Sequence, residues 1–331
     1  MRFRIGAATL GWVTMLVPDG VMAQALAPGS SQSYPVRPIR LIVAVPPGGA
    51  ADFTARIAGQ KLAESFGQNV VIENRGGAGG TIASEMTSKA TGDGYTLLWS
   101  SVTTHGAGPM LYSRLPYDSI RDFTHIGLAA SLPMIVVVHV SVPAKSVKEL
   151  IELAKAKPNT LNFASSSSGS LPHLVGELFK SRTGAPITHV PYKGSGPAVV
   201  DLAAGNVQVM FDAVPSLVGQ IKAGRLRVIG SVAAKRSELF PDAPTMAESG
   251  YSGIEGVIWY GVSGPAGIPK PVVARINGEL AKLLALPEVK ERFGQQGAIP
   301  TPMTPEQYTS FIRAEQAKWG PVVKATGAKA D

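Results

Sequence analysis

Strand-like and helix-like runs alternate along most of this chain, and the loops between them are built from Gly, Ser, Pro and Thr. Apolar β-branched runs cover 39–45, 69–73 and 95–99, and apolar residues recur at helical spacing over 52–66 and again after Gly80. Such alternation predicts a parallel sheet with helices on its faces. It restarts at 134–139. A Ser146-to-Glu149 capping box opens a helix over 146–156, strands follow at 161–164, 187–191, 207–211 and 226–230, and a helix runs from 174 to 181. Pro197 is expected at the first position of a further helix. Two amphipathic helices, 271–285 and 305–326, follow a strand-like run at 256–262 and are expected to pack back on the first unit. The chain is therefore expected to form two lobes: 36–132 with 231–331, and 133–230. Connecting segments near 131–135 and 229–234 would act as a hinge, with ligand held in the cleft between the lobes.

The first 25 residues differ in kind. Arg2 and Arg4 precede an apolar run over 5–17, and Ala23-Gln24-Ala25 supplies a small-residue cleavage site, so a signal peptide cleaved near Ala25 and export to the periplasm are expected. The apolar run is too short to span a bilayer. No later run reads as a membrane span; the stretch at 134–138 reads as a buried strand. The chain contains no Cys, which excludes disulfides, thiolate metal sites and a lipid anchor on an N-terminal Cys. The net charge of +8 is scattered without basic stripes or interleaved aromatics, so nucleic acid is not an expected partner. A small anionic ligand is compatible with that field.

Four loops follow strand C-termini, where open α/β sheets bind ligands. The first, Pro47, Gly48, Gly49, Ala50, Ala51 and Asp52, places unobstructed amides before a helix, an arrangement that binds anions without a basic side chain; Asp52 itself reads as the helix N-cap. The second carries Ser101, Thr103 and Thr104, whose hydroxyls serve either a carboxylate or the turn itself. The third, Ser166, Ser167, Ser168, Gly169 and Ser170, leads to His173 and is the richest donor cluster in the chain. The fourth, 192–197, holds Lys193, either an anion partner or a surface lysine. Asp212 ends a strand at the same cleft, where it would accept from a ligand ammonium or hydroxyl, or cap a helix. Hydrolase, zinc-protease and phosphate-loop motifs are absent. The five histidines show no metal-binding spacing, and neither cofactor nor metal is expected. A serine of 165–170 with His173 as base is the enzyme alternative, but no orienting acid accompanies it.

At these residues the chain resembles the substrate-binding receptors of tripartite tricarboxylate transporters, the Bug family. The motifs are Val45-Pro46-Pro47-Gly48-Gly49 with Asp52 and Ala55-Arg56; the run from Val71 to Gly80; Gly92 to Leu98; His189 to Gly194; Pro197-Ala198 with Asp201-Leu202, Gly205 and Phe211-Asp212; and Pro265-Ala266-Gly267. The resemblance implies a two-lobed α/β fold of the type II periplasmic-binding class. It also implies a small carboxylate ligand, held largely by backbone amides of the first and third loops, which here are 47–51 and 166–170. The partners it implies are the integral-membrane subunits of a tripartite transporter, served by a monomeric receptor that is not an enzyme. A ligand-presenting partner of a sensor kinase would share the fold.

Overall fold

The computed structural model describes residues 34–295, 297–327 and 329. The signal peptide expected over 1–25 lies outside them. Strands β1 (Ile39–Val43), β2 (Val70–Asn74) and β3 (Thr96–Ser101) run parallel, with β1 in the middle. Helix α1 (Ala50–Phe66) follows β1, and α2 (Thr81–Ser88) follows β2. Next comes β4 (Phe123–His139), a 17-residue strand rather than the short one expected at 134–139. Its first half reads weakly because Thr124, His125, Gly127 and Ser131 interrupt the apolar run.

The second set comprises α3 (Val147–Ala156), β5 (Asn162–Ser165), α4 (Leu171–Thr183), β6 (Thr188–Pro191), α5 (Ser195–Ala204), β7 (Val209–Ala213), α6 (Val214–Lys222) and β8 (Leu226–Ser231). Ser146 caps α3 by accepting from the Glu149 amide, but Glu149 reaches back to the Lys145 amide rather than to Ser146. The chain closes with β9 (Val257–Pro265), α7 (Lys270–Ala285), α8 (Pro287–Gly294), the short β10 (Ile299–Pro300) and α9 (Pro305–Thr326).

One strand joins the two sheets. Residues 123–133 of β4 pair antiparallel with β9 in the sheet of β1–β3, whereas residues 134–139 pair with β7 and β8 in the other. The handover falls between Pro133, opposite Val257, and Met134, opposite Ala213. The chain returns at Gly256–Val257, later than 229–234, because residues after β8 stay bound to the second sheet. Ser231 accepts from the Met246 amide and its own amide donates to Pro244, while the Gly256 amide donates to Val232. Helix α7 is tied to the first sheet by Asn277, which donates to the Ile126 and Met303 carbonyls. Helix α9 is tied there by Glu315, which accepts from the Trp259 and Trp319 indoles.

The candidate ligand cleft

The loops at the C-terminal ends of β1, β2, β3, β5 and β6, together with residues of β7 and β9, surround a cleft of ≈ 720 Å³. Its walls include Pro47, Gly49, Ala50, Ala51, Ser101, Thr103 and Thr104 from the first sheet, and Ser166, Ser167, Ser170, Lys193 and Asp212 from the second. Gly48, Asp52, Ser168, Gly169 and His173 were expected there too and do not line it. Among the lining residues Lys193 is the one cation and Asp212 the one carboxylate.

The first wall is the start of α1. Gly48 turns the chain at φ +95°, and Gly49 is the N-cap with no side chain to close the helix end. Asp52 is therefore not the cap. It lies in the first turn, buried, and accepts from the Gly48 amide at 3.1 Å, from Asn74 Nδ2 at 3.0 Å and from Arg56. Burial alone would raise its carboxyl, but these donors hold it below the usual carboxylate range. The helix begins two residues earlier than expected because Ala50 and Ala51 extend it without cost. With the Phe53 amide bonded to the Gly49 carbonyl, the amides of residues 49–52 have no carbonyl to reach within the helix, and Gly49, Ala50 and Ala51 of this start line the cleft.

The opposing wall differs from expectation. At the start of α4 the Gly169 amide donates to His173 Nδ1 at 3.0 Å, and the Ser170 amide donates to the Ser167 carbonyl. Ser170 Oγ accepts from the His173 amide, and Pro172 carries no amide hydrogen. The start of α4 is thus largely taken up by its own residues, with the Leu171 amide left over. Helix α5 is open: its N-cap is Gly194 at φ 114° with no side-chain cap, and Ser195, Gly196 and Pro197 all line the cleft. Pro197 stands in the first turn but not at its first position, which Ser195 takes. The Gly194 amide donates to the Ser166 carbonyl at 2.7 Å, joining the third and fourth loops.

The cleft also has an aromatic wall, whose residues the sequence reading gave only as parts of strand-like runs. Trp99 and Tyr260 stack with centroids 6.4 Å apart, and both line the cleft with Ile258 and Leu171. The Trp99 indole Nε1 is buried without a hydrogen-bond partner. Nothing in the strand-like pattern of β3 or β9 distinguishes these rings from core rings; only the pairing of Ser101 with Tyr260 across the two strands brings them to the cleft. Asn74, from the end of β2, and the glycines from Gly76 to Gly80 complete the rim. In the second loop, Thr104 Oγ1 accepts from the Ser101 amide at 2.9 Å, so its hydroxyl serves the turn, while Ser101 Oγ and Thr103 Oγ1 lie 3.2 Å apart.

Two α/β sheets joined through one long strand, with uncapped helix starts bordering a shared cleft, are the architecture of a two-lobed binding protein. Residues 54–328 match the model of the tripartite tricarboxylate transporter family receptor, and the chain belongs to that family of periplasmic solute-binding proteins. It is 41% identical over 304 residues to the protein BugT of Bordetella pertussis, covering 92% of this chain and 93% of that one. An R. palustris structure solved with adipate superposes at TM-score 0.87 with 35% identity, covering 89% of this chain and 99% of the other. The periplasmic binding protein BugD superposes at 0.84 with 34% identity, covering 89% and 99%. Among the described residues no helix is long and apolar enough to cross a membrane.

Proposed function

We propose that this chain is an exported receptor that captures a small carboxylate between its two lobes and hands it to the membrane subunits of a tripartite-type transporter. One observation carries this reading: two uncapped helix starts, at Gly49 and Gly194, border a cleft that offers only one cation, Lys193. A desolvated carboxylate must be compensated, and open first-turn amides with their helix dipoles supply that compensation. The adipate bound by the R. palustris relative has the chemistry this arrangement favours.

A hydrolase is the competing reading, and the serine loop argues against it. Ser165 Oγ lies 2.6 Å from His189 Nε2, but Ser165 is fully buried and does not line the cleft. His173, the base considered from sequence, accepts from the Gly169 amide and stacks on His189 at 4.0 Å. Nucleophile, base and orienting acid do not coincide at the cleft.

The test is a thermal-shift panel of mono-, di-, tri- and aromatic carboxylates against matched neutral amides and amines. A ligand present at about 100-fold over its Kd should stabilise the protein by about 2.7 kcal/mol. A panel in which no carboxylate shifts the melting transition overturns the reading. Uptake of the tightest ligand into vesicles holding the cognate membrane subunits, dependent on added receptor, tests delivery.

A further inference from the structure

The start of α5 and the side chain of Asp212 make opposite demands on the same part of the cleft. Gly194, Ser195 and Gly196 present an uncapped helix start that draws an anion. Directly beside it, Ser195 Oγ donates at 2.7 Å to Asp212 Oδ2. Asp212 is itself a carboxyl group, 2% exposed and lining the cleft. Its other oxygen accepts from the Ala213 amide at 2.7 Å. A carboxylate accepts up to about four hydrogen bonds, so acceptor positions remain for a ligand. Tyr260, 8% exposed on the facing wall, has no hydrogen-bond partner for its hydroxyl among the described residues. A buried acidic group and an anion-drawing helix end thus share one wall, and an open hydroxyl faces them.

Two bare carboxylates cannot share that wall, because like charges in a desolvated site exclude each other unless a proton lies between them. We propose that the contact between Asp212 and the bound ligand carries one proton, so that a hydroxyl or ammonium on the ligand supplies it, and a ligand bearing only carboxylates binds with Asp212 protonated. This rests on the carboxylate-receptor reading and adds a selection rule to it. Burial already pushes the Asp212 carboxyl up to about 6, against the opposing pull of Ser195 and the Ala213 amide. An incoming anion raises it further.

The surroundings supply no competing cation at the Asp212 oxygens, which meet only Ser195 and Ala213. From β4 the paired neighbour is the apolar Ile135. From α6 the lining residue is Ser216, and from β9 it is Tyr260. Lys193 and Tyr192 line the cleft from the loop ahead of α5, with the Tyr192 hydroxyl turned to Asp201 at 2.7 Å. The histidines of the adjoining layer, His173 and His189, bond Gly169 and Ser165, and neither lines the cleft.

Calorimetric titration between about pH 7 and about pH 8.5 tests the rule, because ordinary carboxylates are fully ionised there. The probes are succinate with malate and terephthalate with 4-hydroxybenzoate, each pair differing in whether a hydroxyl is present. The dicarboxylate lacking a hydroxyl should lose affinity about tenfold per pH unit, since one proton enters with it. Repeating the titration in two buffers of different ionisation enthalpy should show close to one proton taken up per ligand, a readout that needs no variant. The hydroxyl-bearing partner should bind with a flatter profile and less proton uptake, and Asp212→Asn should flatten the dicarboxylate profile. A dicarboxylate that binds the native chain without proton uptake overturns the rule and leaves the receptor reading standing, as does an unchanged slope in folded Asp212→Asn. Failure of every carboxylate in the wider panel overturns the receptor reading itself.

Discussion

A Cβ added at Gly49 meets nothing within 4 Å, and the residue has an ordinary backbone at φ −96°. The same open space surrounds Gly196 in the first turn of α5. Valine at either position should fold normally and fill the volume where a ligand approaches the amides. We expect Gly49→Val and Gly196→Val each to lower carboxylate affinity tenfold or more, about 1.4 kcal/mol, with melting temperature within a few degrees of the parent; calorimetry and a melting curve check both. Gly169→Val is a poorer probe, because φ +81° there strains any side chain. At this scale the sequence was readable where a residue type has few uses. Paired glycines after a strand and before a helix leave little to build except a turn with open amides. Trp99 and Tyr260 were not readable, because an aromatic residue in a strand has the same signature in a core and in a cleft wall. His173 misled for the converse reason: a polar side chain beside a serine-rich loop looks available for chemistry, and it caps the loop instead.

Whether a helix start is open or closed depends on one or two side chains, which is why the expected pair of anion-drawing helices changed. Periodicity located α4 and α5 but not their first residues. Ser170 and His173 take up most of the start of α4, while Gly194 leaves α5 open. Helices α6 and α8 went unread; they are short, nine and eight residues, and give periodicity little length to show in. Helix α1 depends on Asp52, which fastens the Gly48 turn, Asn74 at the end of β2 and Arg56 to one carboxylate. Asp52→Ala leaves the Gly48 amide and Asn74 without this partner and should cost about 1–3 kcal/mol, measured by urea unfolding. The sign with pH follows from the depressed carboxyl. Its contribution is present above the ordinary carboxylate range and is lost as pH falls, so the parent's advantage over Asp52→Ala should shrink on acidification.

Two α/β units were legible from the restarting alternation alone, but the continuity of β4 through both sheets was not. Its handover at Pro133–Met134 is set by pairing with β9 and then with β7, partners that lie far along the chain. On the proposed reading the two crossings, at Pro133–Met134 and Gly256–Val257, let the lobes close on a carboxylate held by α1 on one side and α5 on the other. Hydrogen–deuterium exchange with and without the tightest carboxylate tests that claim most directly. Exchange should slow together in the peptides covering 48–53 and 194–199, one from each lobe, and the 167–173 loop, already largely taken up by its own bonds, should change less. Slowing in one lobe only, or at 167–173 without 194–199, would contradict a ligand bridging these two helix starts.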